Sequence, residues 1–78
     1  MFMVVLKITL PFSSNSPILD SLLGLDESAE IKIINVNNKK HLEVTCQLDR
    51  EGLSKFLMEF MSRRIKVSKV ECIDIYLV

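Results

Sequence analysis

Apolar and polar positions alternate along the first ten residues. Phe2, Val4, Leu6, Ile8 and Leu10 fall on one side and Met3, Val5, Lys7 and Thr9 on the other, the period of a strand with one strongly apolar face. Pro11 ends it. Ser13-Ser14-Asn15-Ser16-Pro17 then reads as a loop that closes on an N-cap, Ser16, and a proline at the first helical position. The pattern predicts a short helix over residues 17–23 that buries Ile18, Leu19 and Leu22. Gly24 is placed to end it in a left-handed cap, with Leu25 folding back as the apolar partner. Asp26-Glu27-Ser28 is a polar connector. The β-branched run Ile31, Ile33, Ile34 and Val36 and the alternating run over residues 40–48 flank Asn37-Asn38. Asparagine tolerates positive φ, so a two-residue hairpin is expected there. In the return strand Leu42, Val44, Cys46 and Leu48 point one way and His41, Glu43, Thr45 and Gln47 the other.

Residues 49–64 read as one amphipathic helix around which the rest is arranged. Leu53, Phe56, Leu57, Phe60 and Met61 recur at i, i+3, i+4, i+7 and i+8, which places one apolar stripe on a helix. Asp49 is the expected N-cap and Glu51 lies in the first turn. Arg63 and Arg64 lie in the last, each where the helix dipole favours that charge. Residues 66–78 form a closing strand. The order strand, helix, strand, strand, helix, strand folds with right-handed crossovers into a four-stranded antiparallel sheet carrying both helices on one face, the ferredoxin-like α+β arrangement. The first and third strands are then central, the second and fourth are edges, and residues 1–78 make a single domain.

One face of such a sheet is bare. It shows His41, Glu43, Thr45 and Gln47 from the third strand and Met3 and Val5 from the first, the latter beside the far end of the fourth strand. That end, Cys72-Ile73-Asp74-Ile75-Tyr76-Leu77-Val78, is apolar on nearly both faces. Edge strands carry lysine, proline or a bulge to avoid pairing with another chain. Lys66 and Lys69 guard the first half, and Asp74 is the only charge in the second. The expectation is an interface, with a second copy or another protein, made of Met1, Met3, Val5, Ile73, Ile75, Tyr76, Leu77 and Val78.

Composition narrows the chemistry. Ten basic residues balance ten acidic ones in 78 residues, so no global field draws in nucleic acid or an anionic membrane. The apolar start is too short to span a bilayer and is interrupted by Lys7, so neither a leader nor membrane insertion is expected. Cys46 and Cys72 lack a Cys-x-x-Cys spacing and read as reduced packing residues of a cytoplasmic protein. Met1 at the head of the first strand favours a whole gene product. The single histidine, His41, lies on the opposite strand face from Cys46, which excludes a Cys-His pair there. One histidine and two separated cysteines make no metal set. Asp20, Asp26, Glu27 and Glu30 read as a solvated rim, and no Gly-rich phosphate loop exists. No cofactor and no catalytic activity is expected. The bare face lacks the aromatics on which RNA bases would stack.

The most site-like stretch is the first loop. Ser13, Ser14, Asn15 and Ser16 precede a helix N-terminus, where free N–H groups and hydroxyls could hold a small anion. Ser16 serving only as a cap is the alternative.

Taken in order, Leu6-Lys7-Ile8-Thr9-Leu10-Pro11-Phe12-Ser13, Pro17-Ile18-Leu19, Ile33-Ile34-Asn35 and Arg64-Ile65-Lys66-Val67-Ser68-Lys69-Val70-Glu71 resemble segments of the NIL and ACT group of small regulatory domains, NIL more closely. The resemblance implies a non-catalytic module that pairs with itself and senses a small molecule such as an amino acid.

Overall fold

The computed structural model describes residues 1–12, 16–63 and 67–78, with the side chains of all of these except 16–18 and 60–63. Its elements are β1 (Phe2–Pro11), α1 (Ser16–Leu25), β2 (Glu30–Val36), β3 (Lys39–Leu48), α2 (Arg50–Arg63) and β4 (Lys69–Leu77). The strands form one antiparallel sheet in the order β2-β3-β1-β4. This is the α+β ferredoxin-like arrangement expected from the pattern, with β1 and β3 central.

Alternation drives the centre of the sheet. β1 and β3 bring Val4 opposite Leu48, Leu6 opposite Cys46, Ile8 opposite Val44 and Leu10 opposite Leu42. All eight are buried, and Leu22 of α1 and Phe56 of α2 close over them. Leu19, Leu25 and Leu53 pack at the margin. The intervening residues Lys7, Thr9, His41, Glu43 and Thr45 take the opposite, helix-free face, where parity predicted them.

The hairpin between β2 and β3 forms through the residues expected of it. Asn37 and Asn38 have φ of 52° and 64°, and Val36 pairs with Lys39, the geometry of a type I′ turn. At the start of α2 the Gly52 N–H donates to the Asp49 carboxylate at 2.7 Å and the Leu53 N–H to the Asp49 carbonyl at 2.8 Å, which is the expected cap.

Several expectations are corrected. No left-handed cap forms at Gly24, because neither glycine has positive φ. α1 runs on to Leu25, and the Asp26 N–H donates to the Leu22 carbonyl at 2.9 Å, continuing the helical bond pattern past the glycine. Leu57 is half exposed although the heptad-like stripe assigned it to the core; Phe56 fills the contact with the central strands, and the neighbouring position turns out to water. Cys72 is exposed, whereas Cys46 is buried. Both lie opposite Leu6 in adjacent ladders, two strand spacings or about 10 Å apart. That is too far for a disulfide. The expected Lys66 guard lies outside the described residues, as does Arg64.

Burial sorts the positions by cost. Ile8→Ala, at a site with no exposure, is expected to lower unfolding stability by about 2–5 kcal/mol. Ile33→Ala on β2, where 65% of the residue is exposed, is expected to cost under about 0.5 kcal/mol. Urea denaturation of the two variants checks both values.

Candidate interaction surface

The buried core contains no residue of β2 or β4. Register explains what this leaves bare. On the helix side of the sheet, Ile75 and Leu77 of β4 lie opposite Val4 and Phe2, and Ile31 and Ile33 of β2 lie opposite Val44 and Leu42. Each continues an apolar row outward from the core. Yet Ile75 is 63% exposed, Leu77 85% and Ile31 41%.

The free backbone groups follow from the same ladders. The Val78 N–H donates to the Met1 carbonyl at 3.0 Å. In an antiparallel strand alternate residues face the partner, so Tyr76 and Asp74 also turn their N–H and C=O toward β1. Those of Ile75 and Leu77 point away from the sheet. On the other edge the two-residue hairpin makes Val36 and Lys39 a hydrogen-bonded pair, so Ile34 and Lys32 face β3 while Ile33 and Ile31 face outward.

β4 is guarded in one half only. Lys69 and Glu71 form an exposed ion pair of 2.8 Å, and each side chain's bond to the other holds the lysine above and the glutamate below its ordinary pKa. A register shift follows: Val5 pairs with Asp74 and Leu6 with Cys72, leaving Ile73 as the extra residue. The alternating pattern had given no sign of this bulge. Bulges twist an edge out of line with a would-be neighbour, so the flat, free part of β4 begins at Asp74.

The eight residues expected at the interface do not share one face. Ile75 and Leu77 are on the helix side. Met3 and Tyr76 are paired on the open face with Val5 beside them, Ile73 sits in the bulge, and Met1 and Val78 lie at the exposed end. Met3 and Val5 are half-buried. The Tyr76 hydroxyl donates to Gln47 Oε1 at 2.5 Å. Since Tyr76 lies opposite Met3 and Gln47 opposite Val5, this bond crosses β1 diagonally and ties β4 to β3.

Gln47 leads to a residue whose role the sequence reading missed. Beyond the start of β2, the Gln47 N–H has no strand to pair with and donates instead to Asp26 Oδ2 at 2.8 Å. The other Asp26 oxygen accepts from the Ser28 N–H at 3.0 Å and the Ser28 hydroxyl at 2.6 Å. Asp26 is thus a side-chain substitute for the missing strand rather than part of a solvated rim. The Asp-x-Ser spacing that favours such turns was the available signal. Burial raises the Asp26 pKa, but the bonds from Gln47 and Ser28 outweigh it and hold the carboxyl below its ordinary value.

Other chemistry is sparse. A hollow of about 350 Å³ on the open face is lined by Lys7, Thr9, His41, Glu43, Lys69 and Glu71 among others. Lys7 faces Glu43 at 4.0 Å and Lys69 faces Glu71, so its charges answer each other pairwise. Burial pushes the Cys46 thiol up to about 11, with the Asp26 carboxylate adding to the shift, which keeps it protonated and unreactive at neutral pH. His41 bonds through Nδ1 to the Lys39 carbonyl at 3.1 Å and lies on the opposite sheet face from Cys46. Among the described residues no group of three His, Cys, Asp or Glu side chains is placed to hold a metal, and no helix is long and apolar enough to cross a membrane. Ser13, Ser14 and Asn15, and the Ser16 side chain, the expected anion site, lie outside the described residues.

No family model matches this chain, and neither a curated protein nor a solved structure matches it.

Asp26 carries a pH signature. Its folded pKa is depressed, so its contribution is fully present above the ordinary unfolded value of 3.8 and is lost as pH falls through the lower folded value. Asp26→Ala is expected to destabilise the protein by about 1–2 kcal/mol at pH 7. The gap from the wild type should close on acidification below pH ~4, read by thermal melts across a pH series.

Proposed function

We propose that this chain is a non-catalytic protein-interaction module that associates with further copies of itself through the free edge of β4. The observation that carries the reading is the unguarded stretch after the bulge. There, outward-facing backbone groups at Ile75 and Leu77 coincide with side chains that are 63% and 85% exposed. A free edge of this kind presents both the hydrogen bonds and the apolar surface that strand addition uses. A domain of 78 residues also gains proportionately more from association than a large one, because so much of its surface stays wet when it is alone. The NIL-type resemblance supports the same reading, since it implies a module that pairs with itself and regulates a larger system.

Sedimentation across a concentration series tests it. The wild type is expected to rise above its 8.9 kDa chain mass as concentration increases. Ile75→Lys, at a site already largely in water, is expected to stay monomeric with an unchanged melting temperature. A wild type that is monomeric throughout contradicts the proposal, as does a variant that associates equally well.

A further inference from the structure

We infer that the surface which receives β4 is the β2 edge of the next copy, so that association runs head to tail rather than about a two-fold axis. This rests on the reading that the chain associates with itself.

Four features of the two edges match. Direction is the first: each neighbouring pair in the order β2-β3-β1-β4 is antiparallel, so β2 and β4 run in opposite senses. A second copy in the same orientation therefore places its β2 antiparallel to the first copy's β4, with all helices on one side. Backbone parity is the second. Ile31 and Ile33 turn their N–H and C=O outward on β2 as Ile75 and Leu77 do on β4, and the same residues carry their side chains on the helix side. Exposure is the third, since Ile31, Ile33, Ile73 and Ile75 are all exposed in the single chain.

Charge selects the alignment. Lys32 and Asp74 both lie on the open face, opposite Glu43 and Val5 in their own sheets. Neither takes part in any of the ion pairs among the described residues. Placing Lys32 opposite Asp74 of the neighbour brings Ile31 opposite Ile75, the pair inside the flat stretch, and leaves Ile33 at its margin beside the bulge at Ile73. Opposite charges directly across a ladder are stabilising. Sliding by two residues one way sets Glu30 against Asp74, a repulsive pair, and sliding the other way sets Ile34 against Asp74 and leaves that carboxylate with no opposite charge across the ladder. An isologous β4 pair has no such complement, because Asp74 is the sole charge in its free half and one of its alignments opposes Asp74 to itself. Lys32, which would otherwise deter strand addition to β2, becomes the residue that selects the right edge.

The interface is heterologous, so each added copy leaves a free β2 at one end and a free β4 at the other. With about 20–25° of twist per strand, successive four-stranded copies turn by roughly 80–100°, which describes an open, winding chain.

Two edge-blocked variants of the full chain test this. Ile33→Lys closes β2 and leaves β4 free, whereas Ile75→Lys closes β4 and leaves β2 free; thermal melts confirm that both fold. Sedimentation is expected to show a wild type whose mass exceeds twice 8.9 kDa at high concentration, each variant alone as a monomer, and an equimolar mixture as a one-to-one dimer that grows no further. If Ile33→Lys alone still dimerises, the β4 edges pair with each other and the head-to-tail inference is overturned while self-association stands. A folded mixture that stays monomeric also overturns it. A wild type monomeric at every concentration removes self-association itself.

Discussion

Everything in this fold depends on the ladder between β1 and β3. Val4, Leu6, Ile8 and Leu10 meet Leu48, Cys46, Val44 and Leu42 in four consecutive buried pairs, and both helices are committed to covering them. The coverage stops at the two central strands, where burial reaches Leu10 and Leu48 near the strand ends, and it does not extend sideways to either edge strand. The apolar rows nevertheless continue through Ile31 and Ile33 on one side and Ile75 and Leu77 on the other. The bareness of the edges is therefore a consequence of how the core is closed.

The parts of the fold legible in the sequence were those fixed by local rules. Strand alternation assigned each side chain of β1 and β3 to its face, two asparagines specified a turn that needs positive φ twice, and Asp49 capped α2 as its position implied. What escaped reading was set by tertiary context. Gly24 is compatible with a left-handed cap, but the helix found a continuing bond from Asp26 to Leu22 instead. Leu57 has the right spacing for burial, yet the helix has only two strands to lie on. Asp26 looked like one acidic residue among several because its partner, Gln47, is distant in sequence and meets it only where β2 falls short of β3. The bulge at Ile73 lies inside a run with no glycine or proline to mark it. Cys72 shares its apolar surroundings in sequence with Cys46 but sits on an edge strand, and position in the sheet decides its exposure.

The two edges show how few residues separate a protected strand from an available one. In β4 an ion pair and a bulge close the first half, and the next five residues carry one charge. In β2 one lysine stands between two isoleucines that face the helix side. Burial is concentrated at the centre of the sheet, and Ile31, Ile33, Ile75 and Leu77 of the two edges are left exposed. With edges this small, the association proposed above would be reversible and dependent on concentration.

The most direct measurement is native-state amide hydrogen exchange at two protein concentrations. At both, the amides of Leu6, Ile8, Val44 and Cys46 should exchange slowly, because they belong to the covered ladder. At low concentration the outward amides of Ile31, Ile33, Ile75 and Leu77 should exchange fast, and at high concentration those of Ile31 and Ile75 should slow together. Edge amides that are protected already in the dilute protein, or that stay fast at every concentration, would contradict an open edge that closes by meeting another copy.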